Sequence, residues 1–154
     1  MKVFKNIQAL LIDLEGVLYS DNKLIYGSEK VLQELRKKEL KLRFLTNTTT
    51  IPRNKILDKL INYGFDIKEE EIFTPVTATK KFLEENNIRE VFLVTSKELL
   101  SEFENYKLTN KNPKAVIMGD IYKEFNWDIL DKIFKLIYKH DAHLISLHQN
   151  KYCV

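Results

Sequence analysis

An α/β fold built on parallel strands is predicted by three observations. Short apolar runs alternate with helical patterns along the whole 154-residue chain. The first apolar run closes on acids, in Ile12-Asp13-Leu14-Glu15-Gly16. The second closes on hydrogen-bonding side chains, in Phe44-Leu45-Thr46-Asn47. Polar groups just past the carboxyl ends of buried strands lie where open α/β sheets bind ligands.

Each element has its own signal. Ile7 to Ile12 is short, apolar and followed by a turn, as a buried strand requires. Ser20 to Gly27 is polar and reads as a loop. Ser28 has the chemistry of an N-cap for a helix carrying Val31, Leu32 and Leu35 on one face. Leu40 to Leu45 is the second strand, and a helical crossover between the two implies a right-handed βαβ unit. Pro52 suits the first turn of the next helix. Ile56, Leu57, Leu60 and Ile61 form its stripe, and Gly64 ends it. Glu69 to Thr74 returns towards the sheet, and Thr77 to Asn86 reads as a helix.

The second half repeats the class. Val91 to Val94, Ala115 to Met118 and Leu144 to Leu147 read as strands. Thr95 and Glu98 have capping-box spacing. Asn126 can cap a helix whose stripe is Ile129, Leu130, Ile133, Phe134 and Ile137. A boundary within Thr74 to Lys81 divides residues 1–78 from residues 79–154.

Composition narrows the function classes. Hydrophobic residues are 44% and charged residues 31%, enough for a core and too apolar for disorder. The net charge is +3, with 25 Lys and Arg interleaved among 22 Asp and Glu, so no basic footprint for nucleic acid emerges. No apolar run spans a bilayer. Met1 to Lys5 opens no signal peptide, and Cys153 is the only cysteine, so a reducing cytoplasm is expected.

The chemistry lies at the two strand ends. Asp13 and Glu15 are two residues apart, so both can approach one ligand. A carboxylate can attack phosphorus and split hydrolysis into two steps. Carboxylate and phosphate repel, which calls for a divalent cation, and Mg²⁺ takes oxygen ligands and bridges phosphates. The second acid can protonate the leaving oxygen and then activate water. Gly16 permits a sharp turn that brings backbone N–H groups towards a phosphate. Thr46, Asn47 and Thr48, with Thr49 and Thr50 behind them, supply donors for phosphoryl oxygens. Either motif alone is equally an ordinary turn or helix cap; their placement on consecutive parallel strands is what makes them specific.

Other clusters are weaker. Asp120 and Asp128 could be read as a metal pair, but Asn126 to Asp128 is better read as a helix start. His140, His143 and His148 match no strong zinc spacing. Trp127, Phe134 and Tyr138 read as core or dimer contacts rather than a base-stacking platform.

Residues 11–19, 43–49, 59–67 and 71–74 together resemble the haloacid dehalogenase superfamily of phosphatases, in subfamily IIA, which carries an α/β cap of the C2 type after the second motif. Ala115 to Gly119 and Leu144 to His148 resemble its cap strands. The resemblance implies the N-terminal part of a doubly wound, Rossmann-like parallel-sheet core, followed by a partial cap. It implies a Mg²⁺-dependent phosphatase of small phosphorylated compounds that works through an aspartyl-phosphate. Asp13 would be nucleophile and metal ligand. Position 15 would ligate the metal through its carbonyl and supply the acid/base, Thr46 would bind the phosphoryl group, and Asn47 would help position the site.

Two departures follow. The family usually has Asp where Glu15 stands, and the extra C–C bond of about 1.5 Å is a misplacement of the size that can cost about 10²-fold in rate. The family's later lysine and acidic metal motif lie beyond cap-like sequence in which this chain ends, so an incomplete chain is expected. Weak Mg²⁺ binding, slow turnover, an unpaired strand edge and a homo-oligomer are the corresponding expectations. The alternative is a catalytically silent homologue that serves as a binding or dimerisation module, or a gene remnant.

Overall fold

A computed structural model describes residues 6–38 and 40–148. Met1 to Lys5 and Cys153, used above for localisation, lie outside the described residues. The chain forms two compact units, Met1–Thr46 with Arg53–Thr74, and Asn47–Pro52 with Pro75–Val154.

The first unit holds a three-stranded parallel sheet. Strands β1 (Ala9–Asp13), β4 (Lys41–Leu45) and β5 (Ile72–Phe73) lie in the order β1-β4-β5. Helix α1 (Ser28–Lys37) connects the first pair and α2 (Arg53–Asn62) precedes the third strand. Leu10 pairs with Leu42 and Ile12 with Phe44, so one face gathers apolar side chains. Leu42 and Phe44 are buried with Leu14, Leu60 and Ile72. The other face carries Lys41 and Arg43, and Leu11 there is 71% exposed. The apolar runs of these strands predict burial; among the described residues only one face of this sheet is covered.

Two local expectations change. The segment after Tyr19 is a hairpin rather than a loop, β2 (Tyr19–Ser20) against β3 (Lys23–Leu24). Its turn residues Asp21 and Asn22 have φ of 48° and 60°, a left-handed pair that Asp and Asn tolerate well. Ser28 is not the N-cap of α1, because Gly27 takes that position with φ 83°. The Ser28 hydroxyl instead donates to the carbonyls of Leu18 (3.1 Å) and Ile25 (2.7 Å), joining the helix start to the hairpin. The Gly64 stop is as expected. Phe65 N–H donates to Leu60 O (3.1 Å) and Gly64 N–H to Ile61 O (2.8 Å), a Schellman closure with Gly64 at φ 85°.

Arg36 at the end of α1 grips Glu71 at 2.6 Å and the Asp66 carbonyl at 2.7 Å. That hydrogen-bonded guanidinium holds the Glu71 carboxyl below its usual range, against an opposing effect of burial. A lowered folded-state pKa stabilises the fold above the unfolded value and loses that contribution as pH falls through the folded value. Glu71→Gln is therefore expected to cost about 1–3 kcal/mol near neutral pH, and the gap to the native protein should close below the carboxylate range. Urea melts at pH 7, 5 and 3 check this. A gap that widens on acidification would contradict it.

The second unit holds four parallel strands in the order β7-β6-β8-β9: Lys107–Leu108, Glu90–Val94, Ala115–Met118 and His143–Ser146. Its sheet is covered on both faces. Val91, Leu93, Ala115 and Ile117 join a cluster with Val76 and Leu83 of α3 (Pro75–Glu85), while Phe92, Val94, Val116 and Met118 pack with Ile133 and Leu136 of α4 (Trp127–His140). The period of two along each strand sends neighbours to opposite sides. Asn126 caps α4, accepting the Ile129 N–H at 3.0 Å. Thr95 does not open an α-helix. A 3₁₀ segment, Lys97–Phe103, begins after Ser96, which makes no side-chain cap. Trp127, Phe134 and Tyr138 are surface rather than core residues, with Trp127 75% exposed, and Phe134 stacks on Tyr138. Among the described residues no helix is long and apolar enough to cross a membrane.

Candidate active site

Strand β1 delivers Asp13 to its carboxyl end, in register with Leu45 of β4. Leu14 N–H donates to Leu45 O at 3.1 Å, so the ladder continues one residue past the acid. Asp13 and Thr46 therefore stand at the ends of adjacent parallel strands in one unit. Asp13 is exposed, and its Oδ1 accepts the Leu14 N–H at 2.9 Å. Thr46 is buried, and its N–H donates to Phe73 O at 3.3 Å, which ties the strand end to β5.

Gly16 occupies φ 82°, a left-handed position that suits glycine, and its N–H donates to Tyr19 O at 2.7 Å. That N–H closes the turn. Glu15 is exposed, and its Oε1 accepts the Asp21 N–H at 3.0 Å. The Tyr19 hydroxyl has its pKa pushed up to about 12, first by burial and then by the Glu15 charge. Lys59 lies 3.9 Å from the centre of the Tyr19 ring and donates to Asn22 Oδ1 at 2.9 Å. Tyr19, Asp21 and Lys59 carried no signal in sequence spacing, because a turn and a helix bring them together.

Asn47 and Thr48 follow Thr46 directly but belong to the second unit. Asn47 is exposed and Thr48 half-buried. Behind them, buried Thr49 donates its hydroxyl to Asp120 Oδ2 at 2.5 Å, and Ser96 donates to the Thr50 carbonyl at 2.6 Å. Asp120 also faces His148 Nε2 at 2.7 Å. Among the described residues no group of three or more His, Cys, Asp or Glu is placed to hold an ion. His143 packs edge-on against Phe82.

A parallel sheet with an acid and a hydroxyl at adjacent strand ends, followed by a second parallel α/β unit, defines a class of hydrolase. The chain belongs to the haloacid dehalogenase-like hydrolases, whose family model matches residues 10–109. It is 34% identical over 152 residues to human haloacid dehalogenase-like hydrolase domain-containing protein 2, covering 99% of this chain and 57% of that protein. It is also 34% identical to phospholysine phosphohistidine inorganic pyrophosphate phosphatase of Xenopus laevis, covering 95% of this chain and 55% of the relative. Among solved structures, 4-nitrophenylphosphatase from Thermotoga maritima superposes with a TM-score of 0.84 at 26% identity, covering 96% of this chain and 57% of that one. The chain thus spans little more than half the length of these relatives.

Proposed function

We propose that this chain carries the nucleophile half of a phosphatase site for small phosphorylated compounds. The observation that carries the reading is Asp13 exposed at the end of β1, beside Thr46 at the end of β4. One Asp13 oxygen accepts the Leu14 N–H, which orients the carboxylate and leaves the other oxygen to attack phosphorus. The new O–P bond forms as the bond to the leaving oxygen breaks, and that oxygen takes a proton from Glu15. Glu15 then accepts a proton from water as the water attacks the aspartyl-phosphate, releasing phosphate and restoring Asp13. Thr46, with Asn47 and Thr48, donates to the phosphoryl oxygens. Gly16 holds the turn that sets Glu15 beside Asp13. Residues 1–78 serve as the core part and residues 79–154 as the cap, working in the cytoplasm.

The donor chemistry suits Mg²⁺: the Asp13 carboxylate and the Glu15 carbonyl are hard oxygens, and Mg²⁺ is often held by one or two carboxylates plus phosphate and water. When bound, the ion would offset the repulsion between Asp13 and phosphate. Two protein oxygens are few, so weak binding and slow turnover are expected. Calorimetric titration with Mg²⁺ and hydrolysis of 4-nitrophenyl phosphate test the reading together. Slow, Mg²⁺-dependent hydrolysis is the expected result; hydrolysis indifferent to a chelator would overturn it.

A second reading, a silent homologue acting as a dimerisation module, is favoured by a separate observation. Strand β1 pairs only with β4 among the described residues, and exposed Leu11, Val17, Tyr26 and Val31 line one apolar surface with Leu10 and Ile12 of β1. An open strand edge with an apolar flank drives association. Sedimentation at micromolar concentration should show a homo-oligomer that Leu11→Lys shifts towards monomer. A monomeric native chain would dismiss self-association.

A further inference from the structure

Strands β6, β8 and β9 are neighbours in the second unit's sheet, and each sends a polar side chain past its carboxyl end. Ser96 follows β6, Asp120 follows β8 and His148 follows β9. The ladder extends to hold them there: Gly119 N–H donates to Val94 O at 2.9 Å and Leu147 N–H to Met118 O at 2.8 Å. Space is tight at this point, because a Cβ on Gly119 would stand 2.9 Å from Leu147 Cδ1. In an open α/β sheet this end of the strands receives ligands. Here it receives the chain's own segment, residues 47–52.

The contacts on that segment are specific. Asp120 accepts the Thr49 hydroxyl at Oδ2 (2.5 Å) and meets His148 Nε2 at Oδ1 (2.7 Å), so one carboxylate bridges two elements. An ionised carboxylate only accepts, which assigns the proton to His148 Nε2 and the donated hydrogen to Thr49. Ser96 donates to the next carbonyl along, Thr50 O, at 2.6 Å. Thr49 is buried, and hydrogen bonds to a charged acceptor are the stronger kind. The two residues ahead of this anchor are Asn47 and Thr48.

We infer that Asp120 is a positioning residue: with His148 behind it, it holds Thr49 and so fixes the Asn47-Thr48 donors from the second unit's sheet. The role in phosphate binding rests on the function proposed above; the anchoring itself does not. Amide hydrogen exchange on the full chain, compared for the native protein, Asp120→Asn, Thr49→Val and Thr49→Ser, tests it, with inorganic phosphate titrated in parallel. Asp120→Asn and Thr49→Val are expected to speed exchange at residues 48–50 about tenfold or more, while Val116 and Ile117 in β8 keep native rates. Thr49→Ser, which retains the hydroxyl, should restore the native rates at residues 48–50, a rescue that loss of packing alone would not give. If Asp120→Asn does not fold, the Thr49 pair decides. Unchanged exchange in Thr49→Val, or an equal rise throughout the sheet, overturns the inference. Phosphate should shift the Asn47 and Thr48 amide resonances in the native chain, with severalfold weaker affinity in Thr49→Val. No shift in the native chain would sink the phosphate role of these donors, a failure seen separately from the exchange result.

Discussion

Asp13→Asn is expected to reduce phosphatase turnover by about 10³-fold or more. The amide is nearly isosteric with the carboxylate, and its oxygen can still accept the Leu14 N–H that orients Asp13 at 2.9 Å. The strand end should therefore survive unchanged. What disappears is the anionic oxygen proposed to attack phosphorus, together with a proposed hard ligand for Mg²⁺. Glu15→Gln provides the contrast. Its amide oxygen can still accept the Asp21 N–H, so the turn holds, but it cannot shuttle a proton, and a loss of about 10²–10⁴-fold is expected with KM little changed. Steady-state assays with 4-nitrophenyl phosphate and Mg²⁺, alongside thermal melts, check both. An Asp13→Asn protein that keeps most of its activity would remove Asp13 from the mechanism.

Phe103→Ala should be the most damaging of the simple truncations in the second unit. Phe103 has no exposed surface and sits in the cluster with Leu83, Val91, Leu99 and Ile117, its ring 5.8 Å from that of Tyr106. Truncation removes an aromatic side chain and leaves a cavity, a loss of about 3–5 kcal/mol. Total stabilities of single domains run to about 5–15 kcal/mol, so the variant should be near the edge of folding. Phe134→Ala is the control. Phe134 is 61% exposed on α4, and a change within about 1 kcal/mol is expected. Urea unfolding followed by circular dichroism compares them. Equal losses at the two positions would mean that the packing around Phe103 is wrong.

Both phenylalanines look alike in sequence, and that is where sequence reading reached its limit. The 3.6-residue period places Ile129, Leu130, Ile133, Phe134 and Ile137 on one broad stripe, yet Ile133 is buried while Leu130 and Phe134 are exposed. A stripe shows which side of a helix is apolar. How much of its width is covered depends on the partner surface. Ser28 teaches a related lesson: a hydroxyl beside a helix start can cap it as an acceptor or donate elsewhere, and here the carbonyls of Leu18 and Ile25 take it.

By itself, the sequence determined the α/β class, most of the strand and helix positions, and the family. These follow from local periodicity, turn residues and the acid and hydroxyl at two strand ends, all carried by neighbours along the chain. Tertiary structure alone decided the rest. It placed Asp21 on the Glu15 carboxylate and Lys59 over Tyr19, and it joined Thr49, Asp120 and His148 through one carboxylate. It also left β1 with one strand neighbour among the described residues and Leu11 exposed. The longest of these contacts, Thr49 to Asp120, links residues 71 positions apart. Such contacts depend on strand order and register, which local propensity does not encode.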